Sequence, residues 1–156
     1  MSKTPLPHLL HGRPIGETFA MLGNYPSFMT SILIVDDELG VRESLKIVFG
    51  KDYSVHEADC MYAALAQVLE VKPAVVLLDI LLPKTDGIEV LRQIKAIHPD
   101  CQVIMLTALN TRQLAAKALE FGAFEIIGKP FDVVDLRRKV SGALEELDKT
   151  SHTEER

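Results

Sequence analysis

The chain has little of what marks several protein classes. Its two cysteines, Cys60 and Cys101, stand far apart, each near an apolar run, and read as reduced thiols rather than a disulfide or a thiolate metal site. His8, His11, His56 and His152 show no metal-ligand spacing, and His98 reads as a solvated cap. Positive charge is not in excess: 17 Lys and Arg against 22 Asp and Glu leave a net −5. That balance, without a helix-turn-helix or zinc pattern, speaks against direct nucleic-acid binding. No apolar stretch approaches the length of a membrane span, and there is no internal repeat or low-complexity tract. What is left is an ordinary cytoplasmic globular chain: 156 residues, 47% hydrophobic and 25% charged, enough for one domain with a sizeable core.

Residues 1–30 are set apart by Pro5, Pro7, Pro14 and Pro26, with no sustained periodicity. Pro7, His8 and His11 interrupt the apolar stretch that a signal peptide needs. This segment is expected to be a flexible N-terminal extension. From Ser31 the pattern alternates between short apolar runs and helical stripes. Ile32–Val35, Val75–Leu78, Val103–Leu106 and Ile126–Gly128 suit strands buried on both faces, and Tyr53–Ala58 alternates like a half-exposed edge strand. Between them, Val41, Leu45, Val48 and Phe49 form one helical stripe, closed by Gly50. Met61, Leu65, Val68 and Leu69 form the next, with Asp59 as its expected cap and Lys72-Pro73 as its end. Val90, Leu91, Ile94 and Ile97 follow, ended by His98-Pro99. Asn110 with Gln113 resembles a capping box for a helix ending near Gly122. The last helix starts near Asp132 and carries Val133, Leu136, Val140, Leu144 and Leu147, with a polar, frayed tail over residues 148–156. Five strands alternating with five helices close most naturally as an α/β, doubly wound parallel sheet.

The carboxyl edge of such a sheet is where ligands bind, and four strands bring chemistry to it. The first run ends in Asp36, Asp37 and Glu38, the third in Asp79, the fourth in Thr107 and the fifth in Lys129. Three carboxylates in one crevice call for a cation, since two charges about 4 Å apart at an effective dielectric of ~20 repel by roughly 4 kcal/mol. All-oxygen ligands suit Mg²⁺, or Mn²⁺ in its place. Beside a metal and a phosphoryl group, Asp79 can serve as the nucleophile, Lys129 as a fixed charge and Thr107 as a hydroxyl donor.

The ordered set ILIVDDE, LLDILLPKTDG, MLTA and GKPF resembles the receiver domain of two-component response regulators, over residues 31–147. The resemblance implies a flavodoxin-like (βα)5 fold with strand order 2-1-3-4-5. It implies that Asp79 is the phosphoacceptor and that Mg²⁺ is held by Asp36, Asp37, Asp79 and the backbone carbonyl of Leu81. Thr107 and Lys129 would contact the phosphoryl oxygens, with Lys129-Pro130 a cis peptide. The donor would be a phosphohistidine on a sensor histidine kinase or phosphotransfer protein. A downstream effector, or a second copy of the chain, would meet the 110–147 face. Such a domain is a signalling receiver that catalyses its own phosphorylation and dephosphorylation, not an enzyme with a separate substrate. A phosphohydrolase of the haloacid-dehalogenase type carries a second Asp two residues after the nucleophile, and here that residue is Leu81. An unphosphorylated pseudo-receiver is opposed by the intact Asp36, Asp37, Asp79, Thr107 and Lys129. One departure concerns signalling: receivers usually carry Tyr or Phe where this chain has Ile126, so an aromatic rotamer switch cannot operate in that form. Leu81 and Leu109 occupy positions that in this family tune water's access to the acyl phosphate.

Overall fold

The computed structural model describes residues 30–109 and 111–154; the segment expected as an N-terminal extension lies outside them except for Thr30. Five parallel strands form the main sheet: β1 (Ser31–Val35), β2 (Ser54–Ala58), β3 (Val75–Asp79), β4 (Gln102–Thr107) and β5 (Glu125–Gly128). Their order is β2-β1-β3-β4-β5, so the direction of winding reverses between β1 and β3. Five helices connect and follow them among the described residues: α1 (Leu39–Phe49), α2 (Met61–Val71), α3 (Gly87–Ile97), α4 (Arg112–Glu120) and α5 (Val133–Glu154). A two-residue antiparallel ladder, Leu81–Leu82 with Thr85–Asp86, sits between β3 and α3.

Because successive strand residues point to opposite faces, the apolar runs feed two cores. Leu33, Val35, Val76, Leu78, Val103 and Met105 pack under α2, α3 and α4. Ile32, Ile34, Val75, Leu77, Ile104 and Leu106 pack under α1 and α5. β3 is buried at all five positions, which is why its run shows no alternation, whereas β2, at the sheet edge, is mostly half-buried.

Several helix details differ from the sequence expectation. α2 is capped by Cys60, in extended conformation, with no side-chain cap bond; Asp59 lies one residue too early. Its inner row is Ala64 and Val68, with Met61 and Leu65 packed beside them, and Leu69, about 100° further round, is 61% exposed. Ile97, the last residue of α3, is at the rim, and Val133 is exposed at the start of α5. α4 is capped by Thr111, whose hydroxyl accepts from the Leu114 N–H at 3.1 Å; Asn110 lies outside the described residues. Gly50 ends α1 in ordinary helical conformation, with φ −66°. α5 begins with Asp132 accepting from Val134 N–H and runs on to Glu154, through residues expected as tail. A polar helix end adds no core, so its sequence cannot be told from a solvated coil by periodicity.

Candidate functional site

Register brings the site together. In the β1–β3 ladder Val35 lies beside Leu78, so the next residues, Asp36 and Asp79, lie side by side. Asp79 pairs with Leu106 and Thr107 with Gly128, which places Thr107 and Lys129 along the same edge. The topological reversal lies between β1 and β3, so this edge opens into a crevice where the two acidic strands meet.

The buried side chains there are the unusual ones for a core: Asp36, Asp79 and Thr107 are all buried. Each is held by the loop that follows its strand. Asp36 Oδ1 accepts from Glu38 N–H at 2.9 Å, Asp79 Oδ1 from Leu81 N–H at 2.9 Å, and Thr107 Oγ1 from Leu109 N–H at 2.9 Å. These local bonds are the habit of Asp and Thr at strand ends, and here they aim three side chains at one place. The Thr107 hydroxyl keeps its proton to donate. The second oxygens of the two acids face Lys129, whose long stem crosses from the edge strand β5. Its Nζ lies 2.8 Å from Asp36 Oδ2 and 3.2 Å from Asp79 Oδ2. The Lys129-Pro130 bond is cis, as expected from the sequence.

Burial pushes the Asp79 carboxyl above the ordinary aspartate range, and the neighbouring Asp36 charge adds to this. The Leu81 N–H and Lys129 oppose it without cancelling it. Burial alone lowers Lys129, but its bond to Asp36 and the charges of both acids outweigh that, and the ammonium is held above its ordinary value. One ammonium therefore faces three carboxylates. Asp37 is exposed at the mouth, and one oxygen from each of Asp36, Asp37 and Asp79 falls within 4.8 Å of the others. An all-oxygen, under-compensated set with one solvent-facing side fits a hard divalent cation that keeps several waters.

The acceptor loop is shaped by one glycine. A Cβ on Gly87 would stand 2.5 Å from both Cα and O of Ile80, and the Gly87 N–H donates to that same carbonyl. The start of α3 is thus pressed directly onto the residue after Asp79. Leu81 and Leu109 stand exposed at the rim.

Two residues that sequence reasoning passed over also belong here. Arg42, on α1, donates from Nε to Glu57 Oε1 at 2.7 Å and from a terminal nitrogen to the Asp36 backbone carbonyl at 2.8 Å. Glu57, on β2, also accepts from Lys46 at 2.7 Å. A charged residue beside the apolar stripe of α1 and a carboxylate in an edge strand carry no signal alone; only the fold pairs them.

A doubly wound parallel sheet with an acid pair at its switch point and a lysine bridging the acids defines a flavodoxin-like α/β domain with a polar site at its carboxyl edge. Residues 32–141 match the response regulator receiver domain, and the chain belongs to that family. Sporulation initiation phosphotransferase F of Bacillus subtilis is 39% identical over 110 residues, 70% of this chain and 89% of that protein. Chemotaxis protein CheY of Listeria monocytogenes is 41% identical over 105 residues, 66% of this chain and 88% of that protein. Among solved structures, a CheY-like receiver domain protein from Methanospirillum hungatei superposes with a TM-score of 0.75 at 30% identity, over 78% of this chain and 98% of that one. Some relatives are much longer: the match spans only 25% of the regulatory protein AtoC of Escherichia coli. The fold and family expected from the sequence are therefore those observed.

Proposed function

We propose that this receiver takes a phosphoryl group onto Asp79 from a phosphohistidine of a sensor histidine kinase or phosphotransfer protein. The observation that carries the reading is the convergence of Asp36, Asp79, Thr107 and Lys129 from four strand ends, with Lys129 Nζ 3.2 Å from the Asp79 carboxylate. Its oxygen attacks phosphorus, the P–N bond to the donor imidazole breaks, and an acyl phosphate forms. Lys129 already sits against Asp79 Oδ2, so its ammonium is in place for the phosphoryl oxygens. Thr107 presents a hydroxyl from the adjacent strand. Asp36, Asp37, Asp79 and the Leu81 carbonyl would hold Mg²⁺, or Mn²⁺, which supplies positive charge to the phosphoryl oxygens. The added charge, roughly −1.5 to −2 at neutral pH for phosphorylated side chains generally, draws Thr107 and the loop after it. With Ile126, β-branched and stiff at χ1, in place of an aromatic, that loop and the start of α4 carry the change to an effector or second copy on the 110–147 face. The domain acts in the cytoplasm as a switch that turns over only its own phosphoryl group.

The test is intact-mass measurement after incubation with Mg²⁺ and a small acyl phosphate. One phosphoryl group should be gained, and lost on chelation or in Asp79→Asn. Undiminished labelling of that variant would overturn the assignment.

A further inference from the structure

The carboxylates of the site are fixed by bonds already described, but the peptide that joins Asp36 to Asp37 needs its own support. Asp37 is exposed, so its direction into the cluster depends on how that peptide is turned. The Asp36 N–H donates to Ala58 O at 3.1 Å on β2, and the Asp36 carbonyl, on the same peptide as the Asp37 N–H, accepts from Arg42 at 2.8 Å. The guanidinium is itself held from the far side, by Glu57 Oε1 at 2.7 Å. Glu57 is pinned in turn by Lys46 at 2.7 Å. Its carboxyl is held below the ordinary glutamate range by Lys46 first and Arg42 second. The Arg42 side chain is only 13% exposed, which makes it a braced part and not a solvated surface charge.

We infer that Arg42, braced by Glu57, is a positioning residue that turns the Asp36–Asp37 peptide so that the Asp37 carboxylate joins those of Asp36 and Asp79 around a divalent cation. This rests on the metal reading above and adds a residue to it that no carboxylate count reveals. A planar fork is needed, because one end must reach a backbone carbonyl while another holds a carboxylate. A lysine ammonium carries all three of its donors on one atom, so it cannot reproduce both reaches of the fork. Groups that orient metal ligands typically change affinity by about 10–100-fold when removed.

Charge and positioning make opposite demands, which makes the idea testable. Removing a cation beside three acids should tighten binding of a divalent metal if charge alone matters. If Arg42 positions, its removal weakens binding instead. Mg²⁺ is titrated calorimetrically into wild type, Arg42→Met, Arg42→Lys and Asp37→Asn, with melting of each metal-free protein as a second readout. The expected result is a Kd raised about tenfold or more in Arg42→Met and raised several-fold in Arg42→Lys, where the charge is unchanged. A Kd within twofold of wild type in both, or a tighter one in Arg42→Met, overturns the inference, whatever the melting temperature does. Should Arg42→Met fail to fold, the Arg42→Lys value decides by the same limits. Asp37→Asn separates the two levels: if it also binds Mg²⁺ like wild type, the metal reading itself fails, whereas loss there with wild-type affinity in the Arg42 variants fails only the positioning role.

Discussion

Lys129 is bonded more closely to Asp36, at 2.8 Å, than to Asp79, at 3.2 Å. The ammonium is therefore first of all the counter-ion of buried Asp36, and only second a partner of Asp79. Removing it strands two carboxylates that are each at most 5% exposed. Lys129→Met should cost about 3 kcal/mol or more in the metal-free protein, the usual penalty for breaking a buried ion pair from one side. Urea unfolding without metal measures it; a loss under about 1 kcal/mol would show that the acids are already neutral.

Asp37 sits on the exposed side of the same cluster and adds repulsion without burial. Asp37→Asn should leave the metal-free fold as stable or more so. Wild type should gain about 2.7 kcal/mol at a Mg²⁺ concentration a hundred times its Kd. A marked destabilisation of Asp37→Asn without metal would mean that its carboxylate is structural.

Gly87 allows α3 to begin against Ile80. In Gly87→Ala the new methyl meets main-chain atoms at 2.5 Å, which cannot swing aside as a side chain would. A destabilisation of about 3 kcal/mol, the upper end for overpacking, should accompany slower phosphorylation, because the displaced residue adjoins Asp79. Wild-type stability with wild-type phosphorylation would show that the loop yields freely.

Cys101 gives a pH dependence remote from the site. Burial raises its thiol from 9.0 to about 12, with Lys95 opposing. The folded protein keeps the proton that the unfolded chain loses, so the contribution is intact below pH 9 and declines as pH rises through the interval to about 12. The loss is about 1.4 kcal/mol per pH unit within it. Comparing urea midpoints of wild type and Cys101→Ala at pH 8 and pH 10 isolates this slope. Parallel behaviour of the two would remove the claim. A thiol reagent should label exposed Cys60 in the native protein and spare Cys101.

The fold was legible because strands buried on both faces, as β1, β3 and β4 are, must be largely apolar, and because Asp36, Asp79, Thr107 and Lys129 each come at the end of a short apolar run. The last of these runs, in β5, is mostly half-buried at the sheet edge. Turn chemistry gave Asp132 as a helix start, since its side chain acts locally. Harder to read were features set by neighbours in space. Leu69 is apolar yet faces out, for want of anything opposite it. Cys60 caps α2 with no side-chain bond, so nothing in its chemistry announces it. The bonds of Arg42 to Glu57, 15 residues on, and to the Asp36 carbonyl exist only once β2 lies against β1. Leu81–Leu82 pairs with Thr85–Asp86 around Lys84 at φ 59°, a left-handed position that glycine or asparagine would have signalled.

The bond from Lys129 to Asp36 joins residues 93 apart in sequence, and Lys129 directly follows β5, the last of the five sheet strands in chain order. A nascent chain that has β1, β3 and β4 but not β5 holds the acids without their ammonium. Such long-range closure is slow relative to local structure, and until it happens the half-built edge repels itself. On the proposed reading, competence to carry the phosphoryl group begins only when β5 has joined the sheet and Lys129 has reached the two acids.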